Sequence, residues 1–210
     1  MGRGVSKTAK PSPPVTGSAE APAVDYRIKV CLLGEEGVGK TSLVARFVLN
    51  QFSERYARSL GARMLKKELV VSLPGRDVNV VLLIWDVMGE RTFRDLVKDA
   101  YFGGSQGILG VADLLRPDTI QALPDWIDAA RSVAGKIPVV LLGNKNDLNP
   151  ARESVERFEA LAMRLSAPEW LTSAKTGENV ETAFQSAAAA ILQHQQGQGE
   201  PGAPRPVATP

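Results

Sequence analysis

Apolar positions in the central part of the chain follow two different periods. "RIKVCLLG", "VNVVLLIWD", "GILGVAD" and "IPVVLLGNKND" are nearly continuous apolar runs ending in polar residues or glycine. Strands buried on both faces have this look. "KKELVVSL" and the weaker "EWLTSA" complete the set of predicted strands. Helical spacing fits residues 40–50, 93–101, 120–133, 155–165 and 180–194 instead. "LPGRD", between the second and third strands, reads as a hairpin turn, so that pair is predicted antiparallel. The alternation implies an α/β domain: a six-stranded, mostly parallel sheet with one antiparallel strand and helices on both faces. Ligands of such sheets lie at the carboxyl ends of the strands, so functional residues are sought just after each strand.

The periodic part is flanked by segments without pattern. Residues 1–24 are rich in Pro, Ser, Ala and Gly and read as a disordered N-terminal arm. Residues 195–210 have the same character and read as a disordered tail, leaving residues 25–194 as one domain. No internal repeat is visible.

Composition narrows the class. With 44% apolar residues in 210, the chain can bury a sizeable core. A net charge of +2 gives no reason to expect nucleic acid as a partner. Cys31 is the single cysteine and lies in a predicted strand, so an inert core thiol in a reducing compartment is expected. No apolar run approaches the roughly 18 residues that a spanning helix needs, and no secretory segment is evident. A cytoplasmic monomer is expected. Trp85, Trp126 and Trp170 read as core or core-rim residues, His194 as a helix-terminal surface residue, and no Cys/His cluster suggests zinc.

Chemistry first appears in "GEEGVGKT", residues 34–41, directly after the first predicted strand. Gly34-x-x-x-x-Gly39-Lys40-Thr41 is the phosphate-binding loop pattern. Glycines let successive N–H groups turn inward around a phosphate, and the next helix adds its positive end. Gly34, Glu36, Gly37, Val38, Gly39 and Ser42 would build the cradle around Lys40 and Thr41. Lys40 would neutralise the β- and γ-phosphates, and the Thr41 hydroxyl would ligate Mg²⁺. This loop alone does not choose between ATP and GTP, or between kinase and hydrolase.

The base is read further on. "GNKND", residues 143–147, follows the fifth predicted strand. The Asp147 carboxylate can accept from both the N1–H and the 2-amino group of guanine, whereas adenine offers no such donor pair. "TSAKTG", residues 172–177, follows the sixth, and its Ala174 N–H could donate to the guanine O6.

Three such loops, each after a strand and in this order, resemble the Ras superfamily of small GTPases, nearest its Rab-like and Ras-like branches. The similarity runs over about residues 27–192. It implies a GTP-hydrolysing switch that holds GTP or GDP with Mg²⁺. "WDVMGE", residues 85–90, matches the family's Asp-x-x-Gly-Gln element. By that resemblance Asp86 holds Mg²⁺ through water and the Gly89 N–H contacts the γ-phosphate. Asn144, Lys145 and Asp147 match the base motif, and Ser173, Ala174 and Lys175 the last one. "FGGSQGILGVADLLRPDT" is similar to the fourth strand and its following loop. The family's Mg²⁺-binding switch threonine falls about eighteen residues after Thr41, on Ser59, which keeps the hydroxyl; a plain loop serine is the other reading. Phe52 stands where the family has an aromatic against guanine, and is otherwise an ordinary core aromatic. Switch loops are expected near residues 50–62 and 87–99, where effectors, an exchange factor and an activating protein would bind, with Arg91, Phe93 and Arg94 as a partner surface or a solvated helix start.

The chain departs from the family at several points. Glu90 replaces the glutamine that orients the attacking water; a carboxylate accepts from water but lacks the amide donor. Met88 is bulkier than the usual small residue and can pack beneath the loop. Glu36 occupies a position often glycine in Ras-like members and could obstruct an arginine supplied in trans. Glu35 should point away from the phosphates. Arg55 and Arg58 could act in cis or merely carry surface charge. Lys40, Gly89 and Glu90 are thus the expected catalytic groups, with tight GTP binding and slow hydrolysis. A GTP-binding scaffold with negligible turnover is the alternative. A P-loop kinase would want an acceptor-binding lid, and "NKND" argues against adenine. Prenylation is not expected from the ending "PVATP", whereas "MGRGVSK" fits acylation at Gly2, the expected route to any peripheral membrane contact.

Overall fold

The computed structural model describes residues 25–53, 62–90 and 98–197. Its central strand, β1 (Tyr26–Leu33), explains the continuous apolar runs. Ile28, Val30 and Leu32 enter one core, while Cys31 and Leu33 enter a second on the opposite face. Side chains that alternate between two buried faces leave no polar positions to show the period. β1 runs parallel to β3 (Arg76–Val87) on one side and to β4 (Gly107–Asp113) on the other. Parallel strands β5 (Val139–Asn144) and β6 (Glu169–Thr172) extend the sheet beyond β4. β2 (Ala62–Leu73) adds to the far side of β3 as the antiparallel strand, across a tight turn at Pro74 and Gly75. Among the described residues the six-stranded order is β2-β3-β1-β4-β5-β6, the mixed α/β sheet expected.

Helices cover both faces. On one, α1 (Lys40–Leu49) and a long C-terminal helix, Val180–Gly197, bury Leu43, Phe47, Phe184 and Ile191. Phe47 and Phe184 stack in parallel with centroids 4.1 Å apart, a contact that adds to the roughly 1.5–3 kcal/mol each ring gains by burial. On the other face lie α2 (Pro117–Gln121), α3 (Leu123–Ala134) and α4 (Arg152–Leu165), which bury Ile120, Leu123, Trp126 and Phe158. The C-terminal helix is α5.

Several boundaries differ from the expectation, each for a local reason. β2 begins well before "KKELVVSL", because this edge strand turns Met64, Lys66 and Glu68 to solvent and hides its apolar side. The helix expected over 120–133 is two helices, each with a proline in its first turn, Pro117 and Pro124. α4 starts at Arg152, three residues ahead of its apolar pattern, in a charged turn carried by Arg152–Glu156 and Glu153–Arg157 pairs. Residues 98–102 are helical, and the earlier part of the helix expected over 93–101 lies outside the described residues. Trp126 is fully buried, and Trp85 and Trp170 sit at the core rim. Cys31 is buried too, its Sγ 3.0 Å from Ser105 Oγ, and burial pushes the thiol pKa up.

The topology places the site. The chain leaves β1 through α1 for β2 and β3 on one side and then crosses to β4 on the other, so the strand order reverses at the carboxyl end of β1. Open α/β sheets bind ligands at that reversal. No helix among the described residues is long and apolar enough to cross a membrane.

Candidate functional site

The loop between β1 and α1 is held in shape by its glycines. Gly34 and Gly39 have φ of 141° and 102°. A Cβ at Gly34 would collide with the Val111 carbonyl, and one at Gly39 with the Asn144 amide. Lys40, 6% exposed, lies back across the loop and donates to the Gly34 and Glu35 carbonyls at 2.8 and 2.9 Å. Burial lowers its pKa to about 8, against the raising pull of Asp86, Glu35 and Glu36. Gly89 packs so closely on the Glu35 backbone and Lys40 Nζ that no side chain fits there.

Beside Lys40, the Thr41 hydroxyl donates to Asp86 Oδ2 at 2.6 Å. Asp86, next to last in β3, is almost fully buried, and desolvation raises its pKa although Thr41 and Lys40 oppose this. Its Oδ1 is buried without a hydrogen-bond partner. A hydroxyl and an unsatisfied buried carboxylate oxygen are hard donors of the kind Mg²⁺ takes, directly or through water.

At the other end, two loops lock together. Asn144 donates to the Val38 carbonyl at 2.8 Å and accepts from the Ala174 N–H at 3.2 Å. That amide, expected to face a guanine O6, is therefore already engaged by Asn144. Ser173 Oγ donates to Asp147 Oδ1 at 2.6 Å and accepts from the Thr176 N–H at 3.0 Å, which fixes the carboxylate. Lys145, in the left-handed region, sends Nζ to Asp113 Oδ2 at 2.6 Å.

A cavity of about 840 Å³ joins the two ends. Its wall includes Glu36, Gly37, Gly39, Lys40, Thr41 and Ser42 at one end, and Asn144, Lys145, Asp147, Ala174 and Lys175 at the other. Phe52, Met88 and Gly89 also line it. Phe52 also packs against the first core, and Met88, expected beneath the loop, faces the cavity. Gly34, Val38, Asp86, Glu90 and Ser173 do not line it: Val38 and Ser173 are fully buried behind the wall, as is Asp86 behind Thr41, and Glu90 is half-buried. The volume suits a nucleotide.

The sequence matches the Ras family over residues 29–193. The chain belongs to that family of small GTPases. It is 34% identical over 199 residues to Ras-related protein Rab-21 of Bos taurus, an alignment covering 90% of this chain and 87% of that protein. This chain is thus a Rab-like, GTP-binding member of the Ras family.

In this Ras-family chain, Ser59, Arg55, Arg58, Arg91, Phe93, Arg94 and Gly2 lie outside the described residues. The sequence reading also missed four residues that shape the pocket from behind. Arg46, in the last turn of α1, donates to the Ala174 and Lys175 carbonyls at 2.9 and 2.6 Å. Trp126 Nε1 donates to Glu35 Oε1 at 2.9 Å, so Glu35 does turn away from the cavity. Asp113 and Arg116 follow β4, and Arg116 reaches the Glu36 carbonyl at 2.7 Å. Only the position of "ADLLRP" after a strand could have signalled the last two.

Proposed function

We propose that the protein is a slowly hydrolysing GTP switch whose triphosphate end lies at Lys40 and Thr41 and whose guanine end lies at Asp147. The observation that supports this most is the single cavity joining the two ends. Ser173 holds one oxygen of the Asp147 carboxylate, and the N1–H and 2-amino group of guanine suit the acceptor capacity that remains. The Ala174 N–H would be shared between guanine O6 and Asn144 Oδ1.

At the phosphate end, Lys40 is already almost wholly withdrawn from water, so a polyphosphate would replace its two carbonyl partners with stronger anionic ones. Thr41 and Asp86 would hold Mg²⁺, which when bound neutralises charge building up on the phosphates. Gly89 is pressed against Lys40 and would offer its N–H to the γ-phosphate. The two glutamates of the loop do not oppose this. Glu35 is anchored on α3 through Trp126, and the loop holds anions by its backbone.

Glu90 makes turnover slow, on the order of 10⁻⁴ to 10⁻² per second without a partner. It stands outside the cavity wall and carries no amide donor to orient water. Met88 on the cavity wall favours the second reading, a GTP-binding scaffold with negligible hydrolysis. GTP-dependent rearrangement of residues near 50–62 and 87–99 would present the surface for effectors, an exchange factor and an activating protein.

The test is to identify the co-purifying nucleotide and follow single-turnover phosphate release with Mg²⁺ present, in wild type and Glu90→Gln. Guanine nucleotide with slow release, faster in the variant, is the expected result. Release undetectable over hours in both proteins would favour the scaffold, and bound adenosine would overturn both readings.

A further inference from the structure

Arg116 lies in the loop after β4, to which the sequence assigns no binding role, yet it touches the phosphate loop directly. Its Nε donates to Asp113 Oδ2 at 3.0 Å, and a second guanidinium nitrogen donates to the Glu36 carbonyl at 2.7 Å. The same nitrogen lies over Gly37, within 3.5 Å of where a side chain there would begin. Its aim is set by a tight local frame. Buried Thr119 accepts from the Asp113 N–H at 3.0 Å and donates to the Arg116 carbonyl at 2.7 Å, while Pro117 starts α2 at once behind it. Asp113 is in turn gripped by Lys145 from the base-reading loop, on the oxygen that Arg116 shares.

We propose that Arg116 is a positioning residue that fixes the phosphate loop at Glu36 and, through Asp113, ties it to the loop carrying Asp147. This rests on reading residues 34–41 as the phosphate cradle. A backbone cradle grips an anion only while its N–H groups converge, and Glu36 and Gly37, on either side of the held peptide, both line the cavity. Holding its carbonyl from outside keeps the peptide N–H side turned in. The planar fork of arginine meets both acceptors together, whereas a lysine has a single nitrogen and reaches one. The guanidinium keeps 43% of its side chain in water, so its removal leaves no buried vacancy that would prevent folding.

The experiment uses the full chain loaded with a fluorescent GDP analogue, chased with unlabelled GDP in Mg²⁺, for wild type, Arg116→Ala and Arg116→Lys, with melting temperatures of the loaded proteins measured alongside. Loss of one charge-assisted bond to the loop should speed release roughly tenfold in Arg116→Ala. Arg116→Lys keeps the ion pair with Asp113, so it should melt close to wild type while still releasing GDP several-fold faster. Wild-type release rates in both variants would overturn the proposal. So would release that follows melting temperature, with lysine restoring both, since the arginine would then be a brace for the fold alone. A wild type that retains no guanine nucleotide would instead sink the cradle reading itself.

Discussion

Asp86 and Asp113 lie at the carboxyl ends of two strands of the same sheet and are each 2% exposed, yet the chain treats them in opposite ways. Asp113 is fully served: the Leu115 N–H on one oxygen, Arg116 and Lys145 on the other. Asp86 has the Thr41 hydroxyl on one oxygen and nothing on the second. Burial raises the Asp86 pKa, because the charge there is under-compensated by the protein's own groups. A buried carboxylate with all partners present is framework. One that the fold leaves short is suited to a cation, and local rules are broken in this way mainly at functional sites.

Stability measurements should separate the pair most widely. Asp113→Ala removes the carboxylate that two cations share and should cost about 3 kcal/mol, at the low end for a broken buried pair because Lys145 and Arg116 are partly solvated. Asp86→Asn, read in the same denaturant titration without Mg²⁺, should stay within about 1 kcal/mol of wild type or gain, since it removes an under-paired charge. Equal losses would erase the distinction.

Mg²⁺ dependence should then single out Asp86. The free Mg²⁺ needed to slow nucleotide release should rise by on the order of 10- to 100-fold in Asp86→Asn, as for other residues that hold a metal through a second layer of contacts. An unchanged midpoint would remove Asp86 from the cation site.

Lys40 sharpens the contrast through pH. Its folded pKa, about 8, lies below the ordinary 10.5, so between those values the unfolded chain binds more protons and stability rises with pH; below about 8 the full cost of the buried charge is present. A polyphosphate restores the charge, so binding near pH 8 should take up about half a proton per nucleotide. Calorimetry in two buffers of different ionisation enthalpy measures this, and Lys40→Arg should abolish it. The smallest effect belongs to Glu35→Ala, which removes one hydrogen bond from Trp126 and should cost about 1 kcal/mol by thermal melting.

The sheet was readable because its strands are buried on both faces, and "LPGRD" marked the antiparallel pair correctly. The cavity-lining loops were readable because each is a short contiguous stretch placed after a strand. Arg46, Asp113 and Arg116 were not, since each acts on a backbone carbonyl or ion partner remote in sequence, and an arginine in a helix turn or loop looks like any solvated charge. The split of α2 from α3 was missed because an apolar period runs through Ala122 unbroken, and only Pro117 and Pro124 betray two starts. The early onset of β2 was hidden by its solvent-facing side chains, whose pairing with β3 from Ala62↔Val87 onward is fixed by the partner strand.

Asn144 ties the carbonyl of Val38 to the amide of Ala174, joining positions 106 residues apart on one side and 30 on the other. The pocket therefore has no intermediate, half-built form of use. A nascent chain still on the ribosome holds its glycine loop long before it holds Asn144, and the lock between the two loops closes only once residue 174 has emerged. A chain that stops before residue 174 lacks the amide that Asn144 Oδ1 holds, so its two loops have nothing to lock them together.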